Sequence, residues 1–286
     1  MKGFARNRAI PTTRFPRRRS RARGLRMMFL AVLLLFATGP LYLLLKVSVS
    51  PPAEVMTPHP TLVPHTVTWR HWQRILDSGQ MNAPLRKSLV VASSVALLAL
   101  GLAAPAAYSL AQLPVRWRYG ILLGLFLCRM LPEVSIALPV AVVFVRWGLQ
   151  DTALGLTLAH LTMTLPVVAW VLTTTFGTIP REVEEAAALD GCGTWRTLTR
   201  IILPLALPGL AVAGLLAWLF SWEEFILATY LTLEAKTVPL QVYYYLYQGN
   251  WFVTAVAATL MTLPVLGLSA FLQRYLQETN LAGAVR

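Results

Sequence analysis

Charged residues are scarce in this chain: Asp, Glu, Lys and Arg make up 13% of its 286 residues, against about 25% in soluble domains. Hydrophobic residues make up 56% of the chain, and its mean hydropathy is +0.60. Such a composition leaves too few polar side chains to cover a soluble globular domain. It is typical of a polytopic membrane protein.

Cysteine is also rare, since Cys128 and Cys192 are the only two. We expect one inside a membrane span and the other in a polar segment, so no disulfide is predicted, and no spacing typical of a metal site occurs. The Walker A pattern GxxxxGK[ST] is missing, so the chain has no recognisable site for ATP phosphates. HExxH and GxSxG are missing too, which leaves a membrane-embedded enzyme as a remote alternative.

Positive charge is concentrated at the amino terminus, within a formal net charge of +13. Ten basic residues lie there: Lys2, Arg6, Arg8, Arg14, Arg17, Arg18, Arg19, Arg21, Arg23 and Arg26. A basic arm beside a first apolar span is typical of a segment held in the cytoplasm, where it can also contact anionic headgroups. We therefore predict a cytoplasmic arm over residues 1–24 rather than a nucleic-acid-binding segment.

Apolar runs predict six membrane-spanning helices within residues 25–276. They cover residues 25–49, 86–113, 119–147, 153–177, 205–230 and 252–275. The first run is too long for the h-region of a signal peptide, about 7–15 residues, so we predict that it is retained. We expect the third span to be interrupted at Pro132 and Pro139.

Six spans place both termini on one side of the membrane, and the loop charges favour the cytoplasm. Arg86 and Lys87, at the outer mouth of the second span, argue mildly against this orientation. The remaining parts are an external loop, residues 50–85, and a cytoplasmic tail, residues 277–286. Within that loop Trp69–Leu76 is compatible with a short surface helix or with a simple connector.

A polar insert, residues 178–204, separates the fourth and fifth apolar runs. Glutamates at its start suit a helix amino terminus, and Gly191 suits a helix end and a tight turn that a side chain would obstruct. The insert is thus predicted to contain two short helices joined at glycine. Ala186 and Ala187 give the first one a small face that another backbone could approach closely. From the residues alone, a docking surface and an interfacial connector are equally supported.

The insert also resembles the EAA loop of ABC-importer permease subunits. The matching stretches are Glu185-Ala186-Ala187, Asp190-Gly191, Ile202-Leu203-Pro204 and Pro208. Further similarities lie at Met130-Leu131-Pro132, Gly148-Leu149-Gln150-Asp151-Thr152, Ser221-Trp222-Glu223-Glu224-Phe225 and the tail from Leu281 to Arg286. They are most similar to the carbohydrate branch, in particular the MalG-like group. Cys192 stands where that family usually has Ala, and Glu223 where Asn is usual.

The resemblance implies an all-α polytopic protein with six transmembrane helices and a cytoplasmic helical EAA coupling loop. It implies a plasma membrane location in a bacterium or archaeon and no cofactor, with ATP bound by partner subunits. The implied partners are a second homologous permease subunit, two ATP-binding cassette subunits and an extracytoplasmic solute-binding protein. The implied solute is a sugar or a related compound. The residues implied in coupling are Glu184, Glu185, Ala186, Ala187, Asp190, Gly191 and Pro204.

Two other functions are also compatible with the sequence. One is a permease of the same superfamily for a non-sugar solute. The other is a stand-alone secondary transporter, which would not require the insert.

Polar residues inside the spans are candidates for the solute pathway or the subunit interface, because charges in a bilayer core usually face protein or a cavity. Arg129 and Glu133 are spaced i and i+4, which predicts an ion pair, either lining the pathway or interface or purely structural. In span five the candidates are Trp222, Glu223 and Glu224. Trp222 is equally compatible with anchoring at the membrane interface and with stacking on a pyranose ring.

Overall fold

The computed structural model describes the backbone of residues 19–283 and the side chains of residues 24–273. Most of the basic arm and the last three residues lie outside the described part. Contacts divide the chain into two units, Met1–Leu43 and Leu44–Arg286. Within the described residues the first unit is helical throughout, and the second contains every other element.

The described residues form α-helices, one π-helical segment and no strand. In chain order the elements are α1 (Arg19–Val49), α2 (Pro52–Val55), α3 (Arg70–Ser78), α4 (Asn82–Gln112), α5 (Val115–Arg129), α6 (Glu133–Arg146), α7 (Ala153–Phe176), α8 (Arg181–Leu189), α9 (Thr194–Thr197), the π-helical segment (Leu198–Ile202), α10 (Leu203–Leu205), α11 (Leu207–Trp222), α12 (Ile226–Leu231), α13 (Val238–Tyr247) and α14 (Trp251–Gly283). The prediction of an all-α chain is confirmed for this part.

Four helices are long and apolar enough to cross a membrane, and six spans result if two bent helix pairs each count as one. The four are α1, α4, α7 and α14. The bent pairs are α5 with α6, at 81°, and the rod Thr194–Leu205 with α11, at 82°. A polytopic membrane protein is therefore confirmed, while the count of six depends on the bent pairs.

The third predicted span breaks once and not twice. Met130, Leu131 and Pro132 separate α5 from α6, and Pro132 is the cap residue in front of α6. Proline has no N–H to continue the helix, and it disfavours helical backbone at the residue before it. Pro139, in contrast, lies inside α6, so the interruption predicted there is wrong.

Helices α4, α7 and α11 pack against one another and form the centre of the second unit. Alanines are frequent among their buried contact positions: Ala99, Ala103, Ala104 and Ala107 in α4, Ala159 and Ala169 in α7, and Ala213 and Ala217 in α11. Small residues let membrane helices approach closely. Gly209 of α11 shows how closely, because a Cβ there would overlap the side chain of Thr175 in α7.

Within the second unit, the loop between α1 and α4 packs against other helices of that unit. Ile75 of α3 is buried in a second apolar cluster with residues of α11, α13 and α14, and Trp72 donates its Nε1–H to Ser48 Oγ at 3.3 Å. The short helix is thus confirmed over the simple connector. In the proline-rich part, Glu54 accepts hydrogen bonds from the backbone N–H groups of His65 and Thr66.

Candidate coupling and transport site

The polar insert folds as two helical pieces joined at glycine, as its sequence predicts. The first piece, α8, ends with Gly191 in the left-handed region at φ +76°. The N–H groups of Gly191 and Cys192 bond to the carbonyls of Ala188 and Ala187 at 3.0 and 2.9 Å, which satisfies two carbonyls at the helix end.

The reason for a glycine at position 191 is conformational. A Cβ on Gly191 would have no heavy atom within 4 Å, so the expected obstruction by a side chain does not exist. A positive φ is nevertheless strained for most other residues.

The second helical piece is an almost unbroken rod that joins span five at a sharp angle. It runs from Thr194 to Leu205 through the π-helical segment and meets α11 at 82°. A π-helical turn shifts the hydrogen-bond pattern, and Pro204, in the following turn, contributes no N–H. The rod and α11 therefore form one bent unit.

One face of helix α8 contacts the rest of the second unit. Ala187 is buried, and Glu184 accepts a hydrogen bond of 3.0 Å from Gln112 Nε2 at the end of α4. Ala186 is exposed, so the small face predicted from Ala186 and Ala187 does not exist as one surface. Successive residues of a helix lie about 100° apart, which turns Ala186 away while Ala187 faces inward.

The outward side of the insert carries two large apolar side chains that sequence reasoning did not single out as a pair. Leu189 is 91% exposed and Trp195 is 68% exposed. They flank the glycine turn, while Glu185 and Asp190 are exposed beside them. An apolar residue in the last turn of a polar helix, just before its glycine, was the signal that could have revealed Leu189. We define Glu185, Leu189, Asp190 and Trp195 as the insert surface.

Arg129 and Glu133 do not form the predicted pair. Residues at i and i+4 face each other only within one continuous helix, but the break and the 81° bend fall between these two residues. Arg129 instead places its guanidinium 4.6 Å from the centre of the Phe220 ring, and Glu133 is exposed. Among the described side chains, an ion pair joins Lys87 to Asp151, and His160 lies 3.1 Å from the carboxylate of Glu224.

Trp222 is neither an interface anchor nor available for a solute. Its side chain is fully buried, stacks on Trp218 at 4.8 Å, and donates a hydrogen bond to the Met261 carbonyl at 3.1 Å. Glu223, the next residue, is exposed. Trp222 is therefore inside the protein and Glu223 on its surface, although both were predicted as candidates for one site.

Glu224 lies in a buried polar cluster at the break between α11 and α12. Its carboxylate accepts hydrogen bonds from the N–H groups of Leu227 and Ala228, where a helix amino terminus favours negative charge. His160 of α7 lies between Glu224 Oε2, 3.1 Å from Nε2, and Ser221 Oγ, 2.8 Å from Nδ1. The contact with Glu224 has the distance of an ion pair without hydrogen-bond geometry, so Nε2 keeps no hydrogen-bond partner. Through His160, this cluster connects α7 to Ser221 before the break and to Glu224 within it.

A second polar cluster was not predicted. Asp151, in the turn between α6 and α7, adopts φ 59° and accepts backbone hydrogen bonds at 3.1–3.3 Å from Leu233, Glu234 and Ala235. Lys87 Nζ lies 3.3 Å from Asp151 Oδ1 and donates to the Ala235 carbonyl at 2.6 Å. We call Lys87, Asp151 and residues 233–235 the loop clamp.

Burial would raise the pKa of the Asp151 carboxyl, but the N–H of Glu234 and the Lys87 ammonium outweigh this effect and hold the pKa below its ordinary value. Because Lys87 is paired with Asp151, its charge carries little weight against the predicted orientation of the chain.

Comparisons with known proteins agree with this architecture. Residues 99–279 match the family described as "Binding-protein-dependent transport system inner membrane component". The diacetylchitobiose uptake system permease protein DasC of Streptomyces coelicolor is 26% identical over 89% of this chain and 94% of its own length. The trehalose/maltose transport system permease protein MalG of Thermococcus litoralis is 29% identical over 79% and 84%.

A solved structure has the same fold. It is the crystal structure of a bacterial ABC transporter involved in the import of the acidic polysaccharide alginate, with a TM-score of 0.74, 21% identity, and coverage of 92% of this chain and 99% of that one. A multi-helix membrane protein with a structured polar insert is the class that the fold defines. The chain belongs to the binding-protein-dependent transport system inner membrane component family. It is a permease subunit, a transport component rather than an enzyme.

We expect Asp151→Asn to lower the stability of the purified protein at neutral pH by about 1–3 kcal/mol, because it removes a partly buried charge that accepts hydrogen bonds from several donors. The folded-state pKa of Asp151 is depressed. Its contribution is therefore present above the unfolded-state pKa and is lost as the pH falls through the folded-state pKa. Thermal unfolding from neutral to acid pH should show the two proteins converging. Glu234→Gln, in the same loop, is the control, and an equal loss in that variant would contradict the loop clamp.

We also expect Arg129 to be coupled to Phe220 and not to Glu133. In unfolding measurements on single and double variants, Arg129→Leu and Phe220→Leu should show a coupling energy of about 0.5–2 kcal/mol. Arg129→Leu and Glu133→Gln should add within about 0.3–0.5 kcal/mol. Strong coupling of Arg129 to Glu133 would restore the ion pair that the helical spacing predicted.

Proposed function

We propose that this permease subunit forms half of the translocation pathway of an ATP-driven importer for a sugar or related solute. In this proposal the chain has six spans, and the insert is the EAA coupling loop, seated on an ATPase subunit. A second homologous permease subunit, two ATP-binding cassette subunits and an extracytoplasmic binding protein complete the assembly. The insert surface is the single observation that carries the proposal.

The insert surface has the chemistry of a protein contact. Leu189 and Trp195 are large apolar side chains left exposed on the polar insert, and exposed apolar groups with a polar rim mark interaction sites. Glu185 and Asp190 add acceptors for cationic donors of a partner. A simple connector would have no need of this surface, which favours docking.

The bent unit of rod and α11 suits mechanical coupling. A partner that moved the insert surface would pull on α11 directly and on α4 through the Glu184–Gln112 hydrogen bond. ATP bound to the partner can shift the transporter between its outward- and inward-facing states only if it binds one of these states more tightly than the other. The permease must therefore present different insert positions in those states.

Carbohydrate is the leading solute class because relatives over most of the chain are named for diacetylchitobiose, trehalose and maltose uptake. A non-sugar solute of the same superfamily is the alternative, and a binding assay on the cognate binding protein distinguishes the two. A stand-alone secondary transporter is disfavoured because it would not need the insert surface.

We predict that both termini are cytoplasmic. Six spans return the chain to its starting side, and the basic arm favours the cytoplasm for that side. Reporter fusions at residues 1 and 286 should both report the cytoplasm. An external carboxyl terminus would mean that one bent pair does not cross the membrane.

We predict that Leu189→Gln and Glu185→Lys reduce both co-purification of the ATPase subunit and solute uptake, while the protein stays in the membrane. At position 191, Gly191→Val should abolish uptake because valine strongly resists positive φ, whereas Gly191→Asn should retain most of it because asparagine tolerates that region. The matched control for Leu189 is Leu76→Gln, an exposed leucine of α3 outside the insert. Normal ATPase capture by all the insert variants would exclude docking at this surface.

A further inference from the structure

Helix α13 exposes three tyrosines within a stretch of five residues. Its exposed residues include Tyr243, Tyr244 and Tyr247, of which Tyr247 is 82% exposed. The exposed large side chains of α4, by contrast, are Leu89, Val90, Leu97, Leu98 and Leu102. The exposed tyrosines give this part of α13 phenolic hydroxyls, which the aliphatic surface of α4 lacks and which can bind a polar ligand.

Three of the aromatic rings form a row. The ring of Phe225, at the break between α11 and α12, lies 5.2 Å from that of Tyr243, with the two ring planes 59° apart. The rings of Tyr243 and Tyr247 lie 6.5 Å apart, with their planes 25° apart. We call Phe225, Tyr243 and Tyr247 the aromatic row. Tyr244 points elsewhere, since the Lys236 ammonium lies 4.7 Å from the centre of its ring.

The chemistry of the aromatic row suits a carbohydrate. A tyrosine offers a rigid apolar face and a hydroxyl that donates and accepts hydrogen bonds, and a pyranose ring offers an apolar face edged by hydroxyls. Glu223 supplies an exposed carboxylate two residues before Phe225, which can accept hydrogen bonds from those hydroxyls. An apolar aromatic surface with a few polar groups is the usual composition of a small-molecule site.

We propose that the aromatic row is a stacking platform for the transported carbohydrate, with Glu223 as a hydroxyl acceptor at its edge. The proposal rests on the proposed function, and it moves the stacking role from the buried Trp222 to α13. In the six-span topology, α13 connects spans five and six on the external side. The platform would therefore meet the solute as it leaves the binding protein.

The test uses the complete transporter, with its binding protein and ATPase subunits, in proteoliposomes. Uptake of radiolabelled maltose, trehalose and diacetylchitobiose is measured for wild type and for Tyr243→Leu, Tyr247→Leu, Tyr243→Phe and Tyr247→Phe. We expect each leucine variant to raise KM roughly three- to tenfold for the transported sugar, the size of one aromatic stacking contact. The phenylalanine variants should stay close to wild type, and the amount of protein in the membrane should not change.

Tyr244→Leu is the matched control, because Tyr244 is an exposed tyrosine of the same helix outside the aromatic row. If Tyr244→Leu raises KM as much as the other two leucine variants, or if all three merely lower membrane abundance, the tyrosines serve as an interfacial belt and the platform is overturned. If KM is unchanged in every variant while wild type transports sugar, only the platform fails. Should wild type transport none of the three sugars despite normal ATPase capture, the carbohydrate assignment fails and the platform falls with it.

Discussion

Close helix approach through small residues is the constraint on which the rest of the structure depends. Lipid tails are as apolar as leucine, so burying apolar side chains does little to hold membrane helices together, and packing at short range has to do it. The alanines of α4, α7 and α11 make that approach possible, and Gly209 against Thr175 shows that even one methyl group is excluded at the tightest point. A larger residue at these positions would separate the helices that carry every polar cluster described above.

Polar side chains then add specific contacts between elements that already pack against one another. The Lys87–Asp151 pair connects the start of α4, the turn before α7 and the segment before α13. The His160–Glu224 contact joins α7 to the break after α11. Charged groups are costly near a bilayer core unless they are paired or hydrogen-bonded. Each cluster therefore favours one arrangement of its helices over many similar ones.

The helical class, the apolar spans and the glycine-ended helix of the insert could be predicted because each depends on local sequence. Hydropathy identifies spans, and a glycine after an amphipathic stretch indicates a left-handed helix end at Gly191. The predictions fail where they assumed one continuous helix, or where the burial of a residue depends on helices that pack against it. Arg129 and Glu133 share helical spacing but lie on different helices, since Pro132 ends the first one. Ala186 and Ala187 are neighbours in sequence, yet only Ala187 faces the bundle. Trp222 is buried by residues about 40 positions later in the chain, and no local pattern indicates that contact.

Helix α11 lies between the insert surface and the aromatic row, the two surfaces for which we propose functions. At one end α11 bends into the rod that carries Trp195, and at the other end Ser221, Trp222 and Glu224 are held by α7, α14 and α12. A helix of 16 residues spans about 24 Å and transmits displacement because its backbone hydrogen bonds resist stretching. Movement of the insert surface would therefore be carried along α11 to the break that contains Phe225, whose ring contacts Tyr243 of the aromatic row. The break at residues 223–225 supplies the joint at which such a movement could alter the row, because backbone outside a helix changes conformation at lower cost than backbone within it.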